Sequence, residues 1–267
     1  MSTTTSAPTV STLTARALLV ALTLLTLAAL PSSAATFTVC ATGCDYASIQ
    51  AAVNASSDGD TLALEPEVFV EGDILVDRDL TIRAASGQAT IDGNGATHVI
   101  EIDADALVFL EDLKLTSATR AVVANYGVAY LETITVLGDG TTSIYGGIFN
   151  AADAFLVLRG HSVVTSNRSN SLGGGISNFG VLEVTNATIT GNRGRLGGGI
   201  FNSEGDVVVG ASSISFNHAT VRGGGYANAN VGGGAVIVLP SASYSGNTAG
   251  SACDRYYDIH RTPSCVN

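Results

Sequence analysis

The 267-residue chain is 46% apolar and only 13% charged, with 31 Gly, 4 Cys and no Trp. That balance excludes a disordered chain, which needs low hydrophobicity and high charge, and the clustering of the glycines excludes a collagen repeat. A formal net charge of −11 argues against nucleic acid or an anionic membrane as the main partner.

The first element is a targeting segment, residues 1–35. Arg16 precedes the apolar run Ala17–Leu30, which is followed by Pro31-Ser32-Ser33-Ala34-Ala35. A charge, an apolar stretch of about 14 and small residues at a cleavage point make a secretory signal. The run is too short for a membrane span, which needs roughly 20 apolar residues. Cleavage is expected near Ala35. It leaves a secreted or surface-displayed chain with no transmembrane segment, expected to be monomeric. Export makes the four cysteines readable as two bridges. Three pairings exist, and the local ones, Cys40–Cys44 and Cys253–Cys265, are the simplest.

Residues 36–267 read as one domain. A cap, residues 36–57, comes first, with an amphipathic helix over Asp45–Val53. Asp45 is its expected N-cap, and Tyr46, Ile49 and Val53 share a face. Such a helix would close an open sheet end that otherwise invites aggregation. Residues 251–267, with Tyr256, Tyr257 and the second bridge, are the expected cap at the other end.

The segment from Thr36 to Leu115 holds 15 of the 23 acidic residues and 3 of the 12 basic ones. Asp77/Asp79 and Asp103/Asp105 are Asp-x-Asp pairs about one repeat apart. Clustered carboxylates in turns suit Ca²⁺, which takes 6–8 oxygens; the competing reading is a set of solubilising turn acids.

A repeat then decides the fold. Five units end on Asn125, Asn150, Asn178, Asn202 and Asn228, at intervals of 25, 28, 24 and 26 residues. Two positions before each Asn stands Val123, Ile148, Ile176, Ile200 or Tyr226. A second apolar column runs Ala129/Leu131, Leu156/Leu158, Leu182/Val184, Val207/Val209 and Val236/Val238. A third holds Val136, Val164, Ile189, Ile214 and Tyr244, and Asp139, Asn167, Asn192, Asn217 or Asn247 follows each by three. About 25 residues cannot enclose a core alone, but coils of three short strands can bury their inward side chains against one another. The expectation is an all-β parallel β-helix with three sheets, in which like positions stack about 4.8 Å apart. The asparagines are expected at turns with positive φ, bonding along the axis, and the glycine triplets at sharp corners.

Cys40–Val53 with Asp58-Gly59-Asp60-Thr61-Leu62, and Thr90-Ile91-Asp92-Gly93-Asn94-Gly95 after them, resemble the N-terminal cap and first coils of secreted bacterial proteins of the right-handed parallel β-helix (pectin-lyase-like) superfamily. The Gly-Gly-x-Ile…Asn units resemble polymorphic outer-membrane-protein repeats. The resemblance implies a right-handed coil. It leaves activity open, because that superfamily includes pectate lyases, pectin methylesterases and polygalacturonases beside adhesins and tail proteins.

A glycoside hydrolase needs two carboxylates about 5–9.5 Å apart. Counted from each coil's Asn, Asp153, Glu183, Glu204 and Asp206 share no column, so no catalytic residue is assigned. Arg168, Arg193 and His218 each follow an asparagine of the third column and would form a cationic stripe, with Arg195 and Arg222 on loops leading to the next glycines. Such a stripe can contact an acidic glycan; the competing reading is a solvated turn face. The sequence therefore favours a binding or adhesion protein directed at a glycan, without catalysis and with no required cofactor. A uronate-polysaccharide lyase using Arg193 or a neighbour, with or without Ca²⁺, is the second reading, and a purely structural surface protein the third.

Overall fold

A computed structural model describes residues 33–229, 236–238, 240–250 and 256–258. The expected signal segment, the Cys253–Cys265 bridge and most of the C-terminal cap lie outside them. The chain folds as a parallel β-solenoid of about eight turns. Parallel strands joined by crossovers wind right-handed in nearly all proteins.

The strands form three sheets of nine, fourteen and three strands. The fourteen-stranded sheet is two ladders, here called leading and trailing, joined where the long strands Ala89–Ile102 and Leu113–Asn125 run through both. Each later coil passes from the first sheet to the leading ladder, through a glycine corner to the trailing ladder and back, and from Arg193 onward a strand of the third sheet precedes the corner. Thus Phe155–Arg159, Val163–Thr165, Ile176–Asn178 and Val181–Thr185 follow in order. Every strand pair is parallel, and the register is the one the repeat dictates. Ile148 lies beside Ile176 and Ile176 beside Ile200; Val164, Ile189, Ile214 and Tyr244 follow one another. Because side chains alternate across a strand, this register sends Ile176, Ile189, Leu182 and Val184 inward together, all fully buried.

Two asparagine ladders line the interior. In the trailing ladder Asn125, Asn150, Asn178, Asn202 and Asn228 are linked amide to amide at 2.8, 2.7, 2.6 and 3.2 Å. The same column begins with Val76 and Ile102, so it changes from apolar to amide after two rungs. The second ladder joins Asn167, Asn192, Asn217 and Asn247 at 3.0, 3.0 and 3.1 Å. None of these asparagines has positive φ, contrary to expectation. The left-handed residue is the one before each Asn of the second ladder: Ser166 (φ 60°), Gly191 (65°), Phe216 (55°) and Gly246 (62°). That neighbour turns the chain, which frees the Asn side chain to point inward and bond the next coil. Asp139, placed in this column by spacing, is exposed and binds Thr141 instead.

The cap helix, α1, is shorter than expected, at Ile49–Ala55, and its N-cap is Ser48. Glu71, from the first coil, accepts hydrogen bonds from the amides of Ile49 and Gln50, both at 2.8 Å. A tertiary carboxylate at the helix start thus fixes its position. Asp45 accepts from the Thr38 amide and hydroxyl, each at 2.8 Å. Cys40 and Cys44 are disulfide-bonded. No described helix is long and apolar enough to cross a membrane.

Candidate functional site

The left-handed residue and its asparagine turn each coil out of the leading ladder, so the next residue opens the third sheet. Arg168 bridges to Arg193, Arg193 pairs with His218, and His218 with Thr248. Sequence spacing placed the first three in one column, and the structure brings them together there. Arg168, Arg193 and Arg195 are exposed, while Gly194 between the last two is buried. Alternation therefore points the arginines outward. Their guanidinium groups form no ion pair with any described carboxylate, whereas Arg78 pairs with Asp77 and Arg159 with Glu132. His218 Nδ1 lies 2.8 Å from the Thr248 hydroxyl.

Arg195 and Arg222 depart from expectation. They lie within strands Arg193–Leu196 and His218–Arg222, not on loops. A register shift after Gly194 pairs Arg222 with Leu196, so Arg195 and Arg222 do not stack. Behind this sheet the glycine corners pack backbone on backbone. A Cβ at Gly198 would sit 2.3 Å from the Gly224 carbonyl oxygen and 2.6 Å from the His218 backbone. The column is thus mounted on a layer that leaves no room for side chains.

The four aspartates lie on adjacent rungs in separate local settings. Asp77 and Asp103 are on adjacent rungs, since the Asp103 amide bonds the Val76 carbonyl. Asp77 is bound by Arg78 at 2.8 Å, which holds its carboxyl below the usual range. Asp79 accepts the Leu107 amide, and Asp103 the Ala104 amide. Asp105 is exposed. Among the described residues no group of three or more His, Cys, Asp or Glu side chains is placed to hold a metal ion.

Two surfaces were not singled out by spacing. One is a row of rings on the trailing ladder and its flanks: Tyr145 and Phe149 stack at 4.5 Å, and Phe149 meets Tyr126 and Phe179, each at 5.7 Å. Arg120 lies 5.5 Å over the Tyr145 ring. The signal was present, since aromatic positions recur from coil to coil, but the outward face of a β-helix carries no periodic constraint that marks it. The other is a cleft of about 250 Å³ lined by His161, Asn186, Thr188, Ser213 and Ser243.

Asp139 and Arg168 share the lining of a void of about 10 Å³, room for about one water. Burial pushes the Asp139 carboxyl up, but hydrogen bonds from Thr141 and Ser117 outweigh it and leave the group below its ordinary value.

No family model matches the sequence, and no curated protein matches it. Among solved structures the chain is similar to the pectate lyase Pel9A, at 11% identity over 84% of this chain and 78% of that one, with a TM-score of 0.49. It is also similar to the pectin methylesterase of Aspergillus niger, at 14% identity over 88% of this chain and 92% of that one, TM-score 0.41. A third is the PL6 family alginate lyase AlyGC, at 14% identity over 83% of this chain and 40% of that one, TM-score 0.42.

Proposed function

We propose that the protein binds an anionic polysaccharide outside the cell and performs no chemistry on it. The observation that carries this reading is the outward column Arg168, Arg193 and His218, with Arg195 beside it. Arg168, Arg193 and Arg195 have no carboxylate partner among the described residues, in a chain of net charge −11. An acidic protein spends few cations on an unpaired row unless something negative is to lie on it. Rungs about 4.8 Å apart give a fixed ruler along the solenoid axis, and guanidinium groups can bind carboxylates or sulfates bidentately. Extracellular placement rests on the Ala17–Leu30 segment together with the closed Cys40–Cys44 bridge; N-terminal sequencing of secreted protein should begin near Ala35.

Calorimetric titration with polygalacturonate and alginate tests the reading. Binding should weaken as salt is raised from 50 to 500 mM, because exposed charge pairs are screened. Arg193→Ala should lower affinity about tenfold, the equivalent of about 1.4 kcal/mol, and Arg193→Lys should restore only part of it. Salt-insensitive binding, or an unaffected Arg193→Ala protein, would refute the assignment.

A uronate lyase is the second reading, favoured by Asp139 and Arg168 lining one void. Ultraviolet absorbance of an unsaturated product on either polymer, abolished by Arg193→Ala or Arg168→Ala, would establish it in place of simple binding.

A further inference from the structure

Phe216 is out of keeping with its surroundings. It occupies the left-handed turn position with φ 55°, where the other three coils have Ser166, Gly191 and Gly246. A bulky side chain is an outlier at such a φ. Packing does not explain it, since Phe216 is 69% exposed. One side of the ring rests over the next coil, where a Cβ at Gly246 would come within 2.6 Å of two ring carbons. On the preceding coil, a Cβ at Gly191 would meet only the Thr165 hydroxyl, at 3.7 Å. The ring is supported from one side and open on the other.

Beside it lies the outer face of the leading ladder. Its outward positions from Thr135 onward are Thr135/Leu137, Val163/Thr165, Thr188/Thr190, Ser213/Ser215 and Ser243/Ser245. None is charged, and the last three rungs are hydroxyls throughout. The far edge of the face is the cleft holding His161 and Asn186, whose side chains lie 3.4 Å apart. An exposed aromatic ring, rows of hydroxyls of which only Ser215 is buried, and an amide beside an imidazole, with no charge on these five rungs, suit a ligand that is itself uncharged, ring-shaped and rich in hydroxyls.

We propose that Phe216 is the stacking platform of a second binding site, for an uncharged oligosaccharide lying across the hydroxyl face toward the His161–Asn186 cleft. The ring packs on Gly246 and stays mostly exposed, and a backbone outlier held at such a position points to a ligand. Sugar rings offer apolar faces to an aromatic side chain and hydroxyls to the serines, threonines and Asn186. Phe216 is two residues from His218 but lies across the turn, and unlike the arginine column this face calls for no negative charge.

Full-length secreted protein, with its Phe216→Gly, Phe216→Ser and Arg193→Ala variants, is titrated with neutral gluco-, manno- and xylo-hexasaccharides and with hexagalacturonate. At least one neutral hexasaccharide should bind, with the same affinity at low and high salt. Phe216→Gly and Phe216→Ser should lower that affinity at least tenfold and leave hexagalacturonate binding unchanged, and Arg193→Ala should do the reverse. Phe216→Gly should melt at or above the wild-type temperature, because glycine accepts this φ without strain. Absence of any neutral binder overturns the proposal. So does unaltered neutral binding in Phe216→Gly, or a Phe216→Gly protein melting well below wild type, which would make the ring a structural clamp. Failure of hexagalacturonate alone would remove the arginine reading and leave this one standing.

Discussion

Single residues in this molecule are valued by their neighbours one coil away. Asn178 has no exposed surface, and its amide donates to Asn202 and to the Gly180 carbonyl while its oxygen accepts from Asn150. Removing it strands polar atoms on two other coils, and a buried unpaired donor or acceptor costs about 1–3 kcal/mol. Asn178→Leu should therefore destabilise by about 3 kcal/mol or more in urea unfolding. Asn228, which closes the described end of that ladder, should cost less when replaced. Val76 and Ile102 hold the same column without amides, so a leucine is tolerated by shape; the loss in Asn178→Leu belongs to broken hydrogen bonds.

At the scale of elements, the N-terminal strand Thr36–Val39 is tied to the cap by the Asp45 carboxylate. The Thr38 backbone amide, foremost, and the Thr38 hydroxyl hold the Asp45 carboxyl below its ordinary range. A depressed pKa means the native fold binds this proton less readily than the unfolded chain. The tie is therefore fully present above the unfolded carboxyl value of about 3.9 and is lost as pH falls through the lower folded value. Hydrogen exchange at the Thr38 amide should keep its protection at pH 5 and lose part of it near pH 3. In Asp45→Asn that pH dependence should disappear. The helix α1 follows the same logic, since Ser48 and Glu71 start it where Asp45 was expected to.

Across the whole molecule, charge is divided along the solenoid axis. The acidic residues crowd the first coils and the cap, and the unpaired arginines stand several coils later on the third sheet. The proposed polyanion would be repelled from one end and attracted to the other, a division that net charge alone does not describe. The aspartates of the acidic end are consumed in local bonds to Arg78 and to the Leu107 and Ala104 amides. A chelator should accordingly leave the melting temperature within about a degree of the untreated protein, checked by differential scanning calorimetry with added Ca²⁺ as the reverse arm. A rise of several degrees with Ca²⁺ would show that these carboxylates converge on an ion after all.

The sequence by itself determined the coil, its register and the Arg168–Arg193–His218 column. In a solenoid each residue's neighbour is its counterpart about 25 positions away, so spacing in the chain is already distance in space. The Ile176–Ile200 pair and both asparagine ladders were legible for that reason. Tertiary structure decided whatever depends on a residue's conformation or on contacts that do not repeat. Ser48 and Glu71 displaced Asp45 as the helix start because a carboxylate from another coil reached the amides first. Asp139, whose preceding Gly138 lacks the left-handed φ found before the ladder asparagines, bonds Thr141 instead. In the second ladder the positive φ passed from each Asn to the residue before it, and in the trailing ladder no such turn is present. Phe216, ordinary as a letter, became a candidate site once its backbone angle and its exposure were both known.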